Sequence, residues 1–166
     1  MAAPKYLDLV SGIQTQKSAT ETGPAAEVIV ATTAAGTIDP SLLPGSISGS
    51  VSIVTSDNLS AGAFVNIYNN AGTPTARNAD GSTTGKSANG YVLAATTAPA
   101  AAQVYTGGIN TAVTTVTGGE IYLSDSSPGG FTSTPPSASG HVVQRIGSGV
   151  SSTAIAFSPY PPITLA

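Results

Sequence analysis

Cysteine and tryptophan are missing from this chain, and methionine and histidine occur once each. Without cysteine there are no disulfides and no thiolate zinc sites, so the fold depends on no redox state. Charge is nearly as scarce. Five Lys+Arg and eight Asp+Glu make up 8% of 166 residues, where an average soluble domain has roughly 25%. Five cations form no basic stripe, so nucleic acid is not expected as a partner. No apolar run approaches the roughly 18 residues of a spanning helix, and no membrane is expected either. The start, Met1-Ala2-Ala3-Pro4-Lys5, has no apolar stretch of the kind a secretory signal needs. These shortages remove most groups used in acid–base, nucleophilic and metal chemistry. The expectation is a protein that works as a surface and not as an enzyme, with no catalytic residue, metal ligand, cofactor or small-molecule substrate.

Ala, Ser, Thr and Gly fill the space instead. Hydrophobic residues make up 40%, but many are alanine, which predicts a thin core. With a net charge of only −3 and a mean hydropathy of +0.20, the composition is not that of a disordered chain. Nineteen glycines and twelve prolines are spread throughout and leave few windows for a helix. Thr and Val are frequent, and short apolar clusters are bounded by Gly, Pro, Asn, Asp and Ser, the signal of strands and turns. The expected fold is all-β: a small antiparallel β-barrel or sandwich preceded by an extended N-terminal arm.

Residues 1–46 differ from the rest. Lys5–Val10 reads as a short strand, 11–26 as polar chain without an apolar period, and Glu27–Ala31 as a second strand. Asp39 and Pro40 fit the cap and first position of one helical turn, which Pro44 and Gly45 stop. Strands without a core of their own usually lie on something else, so 1–46 is expected to be an arm and linker; the alternative is that its strands join the main sheet. As an arm, it would meet its partner through Leu7, Leu9 and Val10 and through Val28, Ile29 and Val30, added as strands to an exposed sheet edge.

From residue 47 to 166 strand signals recur at the spacing of a barrel or sandwich. Val51 and Ile53 share one face. Ala63, Val65 and Ile67 share another, with Phe64, Asn66 and Tyr68 opposite. Asn69-Asn70-Ala71-Gly72 is a turn, and Thr73–Ala79 returns as the partner strand. Ile121 and Leu123 point inward, as do Ile155 and Phe157, and Val142, Val143 and Ile146 supply another apolar cluster. Pro159-Tyr160-Pro161-Pro162 lacks the amide donors of a central strand and is expected along a surface.

Groups with possible chemistry have plainer roles. His141 reads as a surface histidine at a strand end, and no Gly-x-Ser-x-Gly elbow accompanies it. Arg77 and Asp80 fit a local ion pair across a turn. Asp57 and Asp125 fit turns, bonding nearby amides. Asp80-Gly81 is far from a calcium loop, and Gly147-Ser148-Gly149 lacks the third glycine of a dinucleotide site. Asn58-Leu59-Ser60 is formally a glycosylation sequon. Tyr68, Tyr91, Tyr105 and Tyr122 either line a sugar-binding face or seal a thin core with their hydroxyls outward.

Over residues 59–157 an ordered series stands out: Leu59-Ser-Ala-Gly-Ala-Phe-Val-Asn-Ile-Tyr68, Arg77-Asn-Ala-Asp80, Lys86-Ser-Ala-Asn-Gly-Tyr-Val-Leu-Ala94, Tyr105-Thr-Gly-Gly-Ile-Asn110, Gly119-Glu-Ile-Tyr-Leu-Ser-Asp125, Pro128-Gly-Gly130 and Gly140-His-Val-Val-Gln-Arg-Ile-Gly147. It resembles a module of tailed-bacteriophage virion surface proteins, found in capsid decoration (cement) proteins and in head or tail fibres. Ile38-Asp-Pro-Ser-Leu-Leu-Pro44 is similar to the linker that often precedes it. Ala63 departs from the acidic or polar residue expected there. The resemblance implies a structural protein on the outer surface of the capsid, made in the host cytoplasm, partnered by the major capsid protein and by itself as a homotrimer. The alternative is a receptor-binding or fibre-tip protein of head or tail. A chain of this length with one module and no heptad run is short for a fibre.

Overall fold

The computed structural model describes residues 5–10, 13–18 and 49–166. Fourteen strands and no helix occur among them, so the protein is all-β. Two compact units divide the chain, residues 1–42 and 43–166.

In the first unit, β1 (Lys5–Val10) pairs antiparallel with β2 (Ile13–Ser18), from Lys5↔Ser18 to Val10↔Ile13. The strand at β1 was expected. β2 is a strand within the stretch read as polar chain without an apolar period: Gln, Thr, Gln and Lys give no apolar alternation, but a ladder requires only main-chain donors and acceptors. Leu7, Leu9 and Val10 stand opposite Gln16, Gln14 and Ile13. Val28, Ile29 and Val30, the expected strand Glu27–Ala31 and the turn at Asp39–Gly45 lie outside the described residues.

The second unit has two layers. β3 (Ser50–Thr55), β4 (Phe64–Asn70), β5 (Thr73–Asn78), β6 (Gly90–Val92) and β7 (Ala101–Tyr105) close a barrel in the order β3-β5-β4-β6-β7. Four of its pairings are antiparallel. The fifth corrects a wholly antiparallel expectation: β3 meets β5 in parallel, through Val54↔Thr75 and Thr55↔Ala76. The second layer is an antiparallel sheet in the order β10-β9-β12-β13-β8, made of Phe131–Thr132, Gly119–Leu123, Arg145–Ser151, Ala154–Phe157 and Gly108–Asn110. β11 (Val142–Val143) pairs separately with β14 (Ile163–Thr164).

The hairpin from β4 to β5 shows how sequence sets register. Ala71 and Gly72 both have positive φ, 49° and 92°, as a two-residue hairpin loop between right-twisted strands requires. The Asn69 side-chain oxygen accepts the Gly72 amide at 2.6 Å. Side chains then alternate along β4 with period two. Ala63, Val65 and Ile67 turn into the barrel, where they meet Ile53, Leu59, Ala76, Val92, Ala102 and Val104. Five strands enclose little volume, so small residues fit the bore; the alanine-rich composition has a structural use here. Val51 shares the face of Ile53 by period but is 46% exposed, near the start of β3.

Phe64 and Tyr91 turn the other way, out of the barrel and onto the sheet. There they pack with Ile121, Leu123, Ile146, Ile155 and Phe157, all buried. All three phenylalanines belong to this layer. Phe64 stacks on Phe157 at 5.8 Å between centroids and meets Phe131 edge-on at 6.4 Å; Tyr91 meets Phe157 edge-on at 5.5 Å. The tail follows the surface as expected: Ser158 and Tyr160 donate main-chain bonds to Ile146 and Arg145, and 158–162 are exposed.

Phe64→Ala should therefore remove the contact between the layers and cost about 3–5 kcal/mol. Val150→Ala, at a position 55% exposed, should stay within about 0.5 kcal/mol of wild type. Urea unfolding of both variants measures the difference.

Candidate functional site

Among residues 49–166 the ionisable side chains are spread out and mostly engaged in contacts within the fold. Among the described residues no group of three or more His, Cys, Asp or Glu side chains lies close enough to hold a metal. His141 stands just before β11, and its Nδ1 lies 2.9 Å from Asp125 Oδ2, just after β9. Both side chains are about a quarter exposed. Asp125 sits in the bend after β9 as expected, but its side chain engages the histidine, sixteen positions away, and not a nearby amide. No serine or threonine oxygen bonds the ring among the described residues.

Asp57 is also long-range. It accepts the Asn78 amide at 3.1 Å, tying the end of β3 to the end of β5. Beside it, the Asn58 side-chain oxygen accepts the Ala98 amide at 2.9 Å. The side chain of the formal sequon is thus part of the fold. The cation that meets Asp80 is Lys86, at 3.9 Å, and not Arg77 as expected. Arg77 donates instead to Asn66 Oδ1 at 2.9 Å and to the Gly85 carbonyl at 2.8 Å, with its guanidinium over the Tyr68 ring. Buried Asn66 in turn donates to the Ser87 carbonyl and to Asn89 Oδ1. This network fixes the long connection after β5.

Arg145 and Glu120 approach to 3.1 Å, but the Nε hydrogen misses the carboxylate, so the contact is electrostatic and not a hydrogen bond. Tyr122 donates to Glu120 at 2.7 Å. That bond, ahead of desolvation, raises the Tyr122 pKa. Tyr91 and Tyr105 stack at 5.4 Å, and the Tyr91 hydroxyl donates to the Gly107 carbonyl. Each of the four tyrosines thus has its own structural contact; Tyr91 is buried in the core layer, with its hydroxyl at the margin.

The concave feature is elsewhere. A groove of about 580 Å³ runs between the segments 60–63, 112–117 and 127–133, with Asn78 beside them. It lies where the barrel meets the sheet. Main-chain bonds fix its walls: Phe64 N to Gly129 O at 2.8 Å, Gly129 N to Ala79 O at 2.7 Å and Val116 N to Ser152 O at 3.0 Å. Buried Asn110 donates to the Gly62 carbonyl and accepts the Ala112 amide, joining two of the walls. No Asp, Glu, Lys, Arg or His lines it. Sequence reasoning missed this groove. Its only signal was the density of Ser, Thr, Gly and Pro in 111–118 and 126–135, which reads simply as loop.

Burial, then the neighbouring Tyr105, raises the Tyr91 pKa above its ordinary 10.0. The fold favours the neutral phenol, so this contribution is complete below pH 10.0 and is lost as pH rises through the raised value. Tyr91→Phe should cost about 1 kcal/mol at neutral pH, from the lost bond to Gly107. It should lose less than wild type above pH 10.0; denaturant midpoints across that range measure both effects. No protein-family model, curated protein or solved structure matches this chain.

Proposed function

We propose that this is a capsid decoration protein of a tailed bacteriophage, a structural protein that binds the outer face of the shell and stabilises it. The observation that carries the proposal is where the virion-like series falls. Its segments supply most of β4, the end of β5, β6, β8, β9, β11, the first part of β12 and the loop at Pro128–Gly130, all within one compact all-β unit. Most of the series thus lies on strands of a single unit, which is compatible with one surface module. The sparse charge, and the structural contacts made by most ionisable side chains in residues 49–166, fit a protein whose work is attachment.

The major capsid protein is the proposed partner, with residues 1–46 as the attaching segment. Stabilisation follows from mass action: a protein that binds the assembled lattice and not its separated subunits favours the lattice. A homotrimer is proposed because a unit with few large side chains gains from a shared core, and closed cyclic symmetry is the usual arrangement.

Light scattering of the isolated protein should give the mass of a trimer; a monomer at micromolar concentration counts against the assembly. Attachment to particles lacking the protein should survive about 1 M salt, where the Debye length is roughly 3 Å. Ile29→Asp should weaken attachment by burying an unpaired charge, and Lys17→Ala should leave it unchanged. Salt-stripped wild type with normal binding by Ile29→Asp would overturn the proposed mode. Imaging of labelled particles separates shell from tail: label over the whole shell supports decoration, and label at one vertex or on the tail supports a fibre.

A further inference from the structure

The groove between barrel and sheet carries chemistry that attachment to a shell does not use. Its lining is neutral throughout, yet rich in hydroxyls. Ser60, Thr117 and Ser133 are exposed, and their hydroxyls bond nothing among the described residues. Phe131, half-buried against Phe64, and exposed Pro128 add apolar surface. On the rim, Thr115 holds a φ of 58°. A β-branched residue in the left-handed region is a strained outlier, kept only where the surroundings over-determine it, and such outliers cluster at binding sites.

We propose that this groove binds a short neutral saccharide. A charged ligand finds no counter-charge in the lining. A wholly apolar one would desolvate the hydroxyls without replacing their bonds to water. A sugar meets both halves of the lining: its hydroxyls exchange donors and acceptors with Ser60, Thr117 and Ser133, and its C–H faces lie on Phe131 and Pro128. The volume of about 580 Å³ is within the usual range for small-molecule sites, about 300–1,000 Å³. Because main-chain bonds fix the walls, little ordering entropy is lost on binding. The proposal does not rest on where the protein sits in a particle.

The test is an NMR titration of the isotope-labelled full chain with maltotriose and triacetylchitotriose. Sialyllactose, a chondroitin sulfate tetrasaccharide and a Gly-Ser peptide serve as competing chemistries. At least one neutral saccharide should shift the amides of Thr114, Thr115, Gly129 and Gly130, and the other probes should leave them in place. Thr114→Arg, at an exposed wall position, should block the response. The double variant Thr117→Ala with Ser133→Ala should weaken it about tenfold. Both variants change exposed positions, and unchanged spectra elsewhere show that the fold persists. The proposal is overturned if neither neutral saccharide shifts these amides, if the charged or peptide probes shift them equally, or if Thr114→Arg responds like wild type.

Discussion

The packing of Phe64 and Tyr91 against Phe157 is the contact on which the second unit depends. A five-stranded barrel lined largely by alanine and valine buries little apolar area, and a single sheet has one face to hide. Neither layer has enough apolar surface alone. The aromatic rings join them, and aromatic pairs at these separations add about 0.5–1.5 kcal/mol each beyond their area. Phe64 and Tyr91 are paired neighbours on β4 and β6, so one cross-strand pair presents both rings to the sheet. The groove lies along the same junction: Phe131, which meets Phe64 edge-on, forms part of its wall.

Neutral polar side chains do the positioning that charges do in other proteins. Gln144 is buried, accepts the Ala88 amide at 2.7 Å and donates to the Ala88 and Tyr160 carbonyls. Asn66 and Asn110 act in the same way at other joints. A carboxamide offers both donor and acceptor without the desolvation cost of an ion. Networks of this kind depend little on ionic strength, which suits a protein with thirteen charged residues among 166.

Much of the fold was legible in local pattern. The alternation of Ala63, Val65 and Ile67 against Phe64 assigned two faces, and the structure places them in two different cores. Ile121, Leu123, Ile155 and Phe157 are buried as period two requires. What stayed hidden depends on pairing between distant segments. Nothing near Val54 signals a parallel neighbour at Thr75. Asp125 and His141 are each ordinary in sequence and meet only because β9 and the start of β11 lie close together. Arg77 found Asn66 and Tyr68 across the hairpin, which displaced the ion pair with Asp80 that proximity in sequence had favoured. The groove escaped for a similar reason: three loops that are featureless alone become walls when two layers meet.

The order of strands in the barrel also bears on how the chain is made. β3 is the first barrel strand to leave the ribosome, yet its long partner is β7, with Ser50 opposite Tyr105. Until synthesis reaches Tyr105, β3 has only its brief parallel contact with β5 to form. During that interval Val51 and Val54, exposed even in the finished fold, lie on an edge that a second nascent chain can pair with. Such non-local closure makes folding slow compared with a helical domain of equal size. Synthesis of several chains on one messenger is therefore a stage at which β3 is open to mispairing.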